Sequence, residues 1–316
     1  MQRQMNGHID GQLNGDANGL ALERAPGRSL RQSLWRSLLV AVALFSFSQA
    51  SFALDLQLKG KTALITGSTA GIGYATAEVL LKEGADVIIN SRRQESCEKA
   101  VASLKAATGR APKFFVGDMS KAEDTTRLAK EYPNVDILIN NVATFIPKEF
   151  LQSTDDDWQK IYDTNVMSGV RLSRAYLPRM KQQNWGRIIF ISSESALQIP
   201  TESIHYGMTK AAEIAVARGI AETVAKTGIT VNSVLPGPTR DPSDPRFADF
   251  AKRMGKSSME EAEAEFINSR RPTSLIKRFA RPEEVASLIA YVASPLSSAT
   301  TGSALRVDGG VVKSAY

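Results

Sequence analysis

The 316-residue chain has one cysteine, Cys97, and only two histidines, His8 and His205. One thiol excludes an intrachain disulfide framework. With so few nitrogen and sulfur ligands, no cysteine cluster or zinc site is expected. No repeat of roughly 20–50 residues recurs, which excludes a solenoid. No apolar run is long enough for an ordinary membrane span. Charge excess is small as well: 39 Lys and Arg stand against 33 Asp and Glu, a net of +6 spread through the body of the chain. Such a surplus reads as ordinary surface charge and does not call for nucleic acid. What the chain does have is 43% hydrophobic residues, enough for one large core or two modest ones.

The first 57 residues read differently from the rest. "MQRQMNGHIDGQLNGDANG" is polar and rich in glycine and asparagine, the composition of a disordered tail. "RSLLVAVALFSFSQASFA" then joins arginines, a short apolar run and small residues, the pattern of a secretory signal peptide. An over-extended start is the other reading, with Leu54 as the true beginning. The two stay open. A cytoplasmic enzyme is the preferred expectation, and an exported or periplasmic one follows if residues 31–53 act as a signal.

From Lys61 onward, short apolar runs alternate with amphipathic stretches. "TALITG", "DVIIN", "KFFVG", "DILINN", "RIIFISS", "ITVNSVL" and "ALRVDGG" predict strands. Helical periodicity predicts helices over Tyr74–Lys82, Glu95–Ala106, Ala122–Glu131, Asp155–Lys181, Tyr206–Lys226 and Pro282–Ala293. Ser120–Glu123 and Thr154–Asp157 have the form of capping boxes. Near-continuous apolar strands separated by helices imply a parallel sheet covered on both faces. The expected fold is α/β: one doubly wound Rossmann domain over 58–316. Residues 241–279 break the rhythm with charge and prolines, and read as a lid insertion with a helix at Met259–Asn268.

Two local patterns carry chemistry. After the first strand, Gly67, Gly71 and Gly73 let the backbone turn tightly and approach a pyrophosphate at a helix N-terminus. Ser68, Thr69 and Ile72 belong to the same expected cofactor turn. Further on, Tyr206 and Lys210 are four apart and share one helix face. A free phenol ionises near ~10. An ammonium roughly 5 Å away stabilises the tyrosinate by about 3 kcal/mol, or about two pKa units. That would bring Tyr206 within reach of neutral acid–base work. His205 has no assigned role.

"TGSTAGIG", "NNVA", Asn165, "ISS", "YGMTK", "LPGPT" and "VDGG", in this order and spacing, resemble the short-chain dehydrogenase/reductase family over about residues 58–316. The resemblance implies hydride transfer between a nicotinamide and a carbonyl compound or secondary alcohol. Tyr206 would be the acid–base, and Lys210 would tune it and hold ribose. Ser193 would bond the substrate oxygen, and Asn165 would bend its helix and hold a water leading to the lysine. Asp118, with Met119, matches the adenine contact. Asn141 continues an Asn-Asn pair, although Val142 and Ala143 depart from the usual Ala-Gly. Pro236, Gly237 and Thr239 fall beside the expected nicotinamide. Family members that prefer NAD carry an acid near Ser91; Ser91 with Arg92 and Arg93 instead favours NADP(H). A homodimer or homotetramer through Asp155–Lys181 and Tyr206–Lys226 is implied, acting on a small molecule. The alternative class is a non-catalytic NADP(H)-binding sensor, which would have no need of Tyr206.

Overall fold

Aliphatic and β-branched runs build the centre of the molecule. The computed structural model describes residues 54–240 and 249–315. The tail and signal readings fall on residues 1–53, outside that range, as does the start of the insertion at 241–248. One compact unit spans Asp55–Tyr316. Its strands are β1 (Thr62–Ile65), β2 (Asp86–Ser91), β3 (Lys113–Val116), β4 (Ile137–Asn140), β5 (Gly186–Ile191), β6 (Ile229–Pro236) and β7 (Ala304–Val307). They form a single sheet in the order β3-β2-β1-β4-β5-β6-β7. Every neighbouring pair is parallel, with Ile65 opposite both Ile89 and Ile139. The doubly wound sheet is the one expected.

Alternation along each strand feeds two cores. Ala63 and Ile65, Val87 and Ile89, Ile137 and Ile139 face one layer, with Leu80, Leu104 and Ile289 from its helices. Leu64, Ile88, Leu138 and Ile188 face the other, with Leu128, Leu172 and Tyr176. Strand order reverses between β1 and β4, and it is outside the carboxyl ends of such a pair that doubly wound sheets bind ligands.

The helices are α1 (Gly71–Lys82), α2 (Gln94–Thr108), α3 (Ala122–Glu131), α4 (Asp155–Tyr162), α5 (Ser168–Gln182), α6 (Ile204–Thr223), α7 (Phe250–Arg253), α8 (Met259–Arg270) and α9 (Pro282–Ala293). Thr154 does form a capping box with Asp157. Ser120 does not. Its hydroxyl and amide both bond Asp118 Oδ1, and α3 starts after Lys121 without a side-chain cap. The long helix expected over Asp155–Lys181 is divided by a π-helical turn at Asp163–Met167. In the insertion, α8 matches its expected place, and Phe250, Ala262, Ile267 and Phe279 make a small core of their own. Among the described residues, no helix is long and apolar enough to cross a membrane.

Candidate active site

The chain leaves β1 through a turn in which Gly67 and Gly71 have φ of 60° and 59°, the left-handed region that disfavours side chains. Gly73 is held by space instead. A Cβ there would lie 2.6 Å from Asn141 Nδ2 and 2.8 Å from Ser68 Cα. Asn141 braces the turn by donating to the Thr66 and Gly67 carbonyls at 2.8 and 3.0 Å. The Ser68 hydroxyl is committed inward, donating to Ile65 O and accepting from Asn90 N. Thr69 and Ile72 stay partly exposed on the turn. The first turn of α1 carries no acidic residue, and helix first-turn amides lack intrahelical partners. Such a cradle fits a dinucleotide pyrophosphate.

Around this turn, the remaining cofactor candidates divide. Arg92 and Arg93 are exposed just past β2, and neither forms an ion pair among the described residues. Ser91 is half-buried and accepts a long bond from Arg93 N at 3.4 Å. Arg93 feels the charge of Glu95, but no ion pair among the described residues ties up Arg92, and a 2′-phosphate would fit beside it. Asp118 stands two residues past β3, with Oδ1 occupied by Ser120. The Met119 side chain is 1% exposed and packs in the core, so only its backbone could face a ligand. Pro236 closes β6, and a Cβ on Gly237 would come within 2.5 Å of Asp308 O. Thr239 bonds back to Gly237 O and pairs with Ala280 at the base of the insertion.

Asn165 sits in the π turn, where the widened helix aims its side chain at two neighbours. Its oxygen accepts from Thr144 N at 2.8 Å, and its Nδ2 donates to Thr144 O and to Thr209 Oγ1 on α6. The amide thereby ties the loop after β4 to the helix of Tyr206. Ser193 follows β5 by two residues and is 9% exposed. Its hydroxyl accepts from Ser195 N and lies close enough to the Tyr206 phenol to favour its ionised form. Ser192 is occupied otherwise, donating to the Lys210 carbonyl at 2.7 Å. His205 is buried against Trp158, 5.8 Å between ring centres.

Tyr206 and Lys210 lie on one face of α6, with Nζ 5.7 Å from the ring centre. Phe145 stacks edge-on against the phenol at 4.9 Å. The expected two-unit lowering of Tyr206 does not appear. Burial raises the phenol, Lys210 lowers it, and Glu213 raises it again. Sequence reasoning missed Glu213, although an acid three places after a lysine on a helix was a readable signal. It also missed Glu194, next to Ser193, whose Oε1 accepts from Arg271 Nε at 2.7 Å at the end of α8. That buried pair fastens the insertion to the serine segment. Exposed Phe145, Ile146, Leu197, Ile199, Leu275 and Ile276 supply apolar surface on the loops and insertion that flank Tyr206.

Sheet topology, glycine turn and the grouping of Tyr206, Lys210, Ser193 and Asn165 define a Rossmann-like nucleotide-binding oxidoreductase fold. The chain belongs to the short-chain dehydrogenase/reductase family: residues 67–312 match a family model described as enoyl-(acyl carrier protein) reductase. It is 43% identical to the uncharacterized oxidoreductase YvaG of Bacillus subtilis over 266 residues, which is 83% of this chain and 100% of that one. It is 32% identical to the 3-oxoacyl-acyl-carrier-protein reductase FabG of Salmonella typhimurium, covering 81% and 99%. A crystal structure of L-sorbose reductase from Gluconobacter frateurii with NADPH and L-sorbose is similar at a TM-score of 0.76 and 32% identity, covering 83% and 100%.

Proposed function

We propose that this chain is an NADP(H)-dependent oxidoreductase that interconverts a carbonyl compound and a secondary alcohol. The substrate class is a 3-oxoacyl thioester, a sugar or a small ketone. One observation carries the reading: a phenol, an ammonium and a serine hydroxyl meet at the carboxyl edge of the sheet that bears the glycine turn. The bound nicotinamide supplies or accepts the hydride. Tyr206 donates the proton to the carbonyl oxygen in reduction and takes it back in oxidation. Ser193 donates to the same oxygen as charge grows on it. Lys210 stabilises the tyrosinate and holds ribose, and Asn165 keeps α6 in register with the loop after β4. Gly67 to Gly73 cradle the pyrophosphate, Asp118 and the Met119 backbone border the adenine, and Asn141, Pro236, Gly237 and Thr239 flank the nicotinamide. Ser91, Arg92 and Arg93 receive the 2′-phosphate. An NADPH-bound relative supports that choice of cofactor.

Following NADPH and NADH consumption across ketones, aldehydes, sugars and 3-oxoacyl thioesters tests this reading. Turnover of none of them, with NADPH still bound, would favour a sensor. A homodimer or homotetramer in a cytoplasmic setting completes the proposal, to be read by light scattering and cell fractionation. Relatives such as YvaG are matched over their whole length by 266 residues of this chain. A chain lacking residues 1–53 should therefore fold and turn over normally, by circular dichroism and NADPH kinetics.

A further inference from the structure

One turn after Lys210, α6 carries a second ionisable side chain that the reaction as described does not use. Glu213 and Lys210 are each 2% exposed at the side chain. The two carboxylate oxygens lie 3.0 and 3.1 Å from Lys210 Nζ, and the Ile191 carbonyl at the end of β5 lies 2.8 Å away. The two carboxylate oxygens are nearly equidistant and can share one N–H, so Glu213 and Ile191 leave the ammonium a third donor for a ribose hydroxyl. A buried carboxylate is poor packing material. An ion pair in such a place is often replaceable by apolar side chains without loss of stability, and Ala217 and Ala221 show α6 burying small apolar residues further along.

The ionisable groups that face the Tyr206 phenol are Lys210 and Glu213 from its own helix and Glu194 from the segment after β5, with the Ser193 hydroxyl beside them. Glu194 is held by Arg271 from the insertion. Lys210 is the charged group that faces Glu213. We propose that Glu213 is a positioning residue that sets the working pH of the reaction: ionised, it offsets the Lys210 ammonium and keeps the phenol protonated, and neutral, it leaves the ammonium free to favour the tyrosinate. This rests on the reading of Tyr206 as proton donor and acceptor. Burial lifts Glu213 to about 7 against the pull of Lys210, which places the change of charge in the neutral range.

Glu213→Gln preserves shape and an acceptor oxygen while removing the charge. The acid limb of kcat for alcohol oxidation and the alkaline limb for carbonyl reduction should both move about one pH unit or more to lower pH, as loss of a nearby negative charge requires. Maximal turnover should fall far less than in Tyr206→Phe. Limbs that stay in place in a folded Glu213→Gln protein, with Tyr206→Phe inactive, would overturn the role of Glu213 alone. Near-normal turnover in Tyr206→Phe would instead sink the reading beneath it. If the glutamine variant does not fold, Glu213→Leu serves the same comparison. The full-length wild type adds a measurement free of Glu213 variants, the tyrosinate absorbance of wild type minus Tyr206→Phe. A phenol ionising well below the ordinary ~10 would show the lysine unopposed and defeat the proposal.

Discussion

At the phenol oxygen of Tyr206, burial and two carboxylates oppose one ammonium, so the proton is held more firmly than in free tyrosine. If that proton is the one transferred, Tyr206→Phe should keep NADPH affinity and lose at least about 100-fold in kcat, the ordinary contribution of a positioned acid–base. Fluorescence titration and steady-state kinetics read the two quantities separately. Lys210→Ala should damage both, because it removes the ribose contact and leaves Glu213 buried without a partner. At the other end of the cofactor site, the exposed Arg92 has no carboxylate competing for it. A charge-assisted hydrogen bond contributes about 1.5–3 kcal/mol net, roughly a 10-to-100-fold preference. Arg92→Ala should raise the NADPH KM by that factor and leave NADH kinetics nearly unchanged, while Ser91→Asp should turn the preference towards NADH. Equal use of both cofactors by the wild type would remove the arginines from the site.

At the scale of elements, the glycine turn makes a sharper demand than its sequence suggests. Gly73→Ala would press a Cβ onto Asn141 and the Ser68 backbone, which cannot retreat easily because Ser68 is hydrogen-bonded on both sides. We expect it to cost about 1–3 kcal/mol of stability and to weaken NADPH binding. Gly219, inside α6 with nothing within 4 Å of the same position, is the control: its alanine variant should gain about 0.5–1 kcal/mol. Paired urea melts check both. The strands were readable because parallel sheets buried on both faces need unbroken apolar runs, and all seven fell where those runs lie. Local hydrogen-bond choices were less legible. Ser120 has the spacing of a cap, but Asp118, two residues upstream, captures its hydroxyl and amide. The π turn at Asn165 was hard to read from periodicity: one extra residue rotates the apolar stripe by about 100°, but the eight residues of α4 before it are too few to fix the phase from which that step would be measured. Glu213 was missed for another reason: a 3.6-residue repeat places it on the face of Lys210 but does not say that this face is closed to water.

At the scale of the whole molecule, that closed face should leave a mark on stability as pH changes. The Glu213 carboxyl sits at about 7 in the folded protein against an ordinary 4.5. Between those values the folded chain holds a proton that the unfolded chain has released, so raising the pH favours unfolding. The contribution is fully present below about 4.5 and is lost as pH passes 7. A shift from 4.5 to about 7 corresponds to roughly 3 kcal/mol, at about 1.4 kcal/mol per unit. Other carboxylates act in the opposite sense. Arg278 holds Glu284 down to about 2, so its contribution is lost only on strong acidification, and Lys148 and Thr154 likewise depress Asp157. These groups are unchanged in Glu213→Gln and cancel in a comparison. Urea unfolding of wild type and Glu213→Gln at pH 5 and pH 8 should show the wild type losing about 2.5 kcal/mol relative to the variant across that interval, the part above pH 5 of the whole. A difference that stays constant from pH 5 to 8 would mean that Glu213 keeps one charge state throughout. The Lys210–Glu213 pair would then be a fixed ion pair, and the neutral-range change of charge assigned to it would not occur.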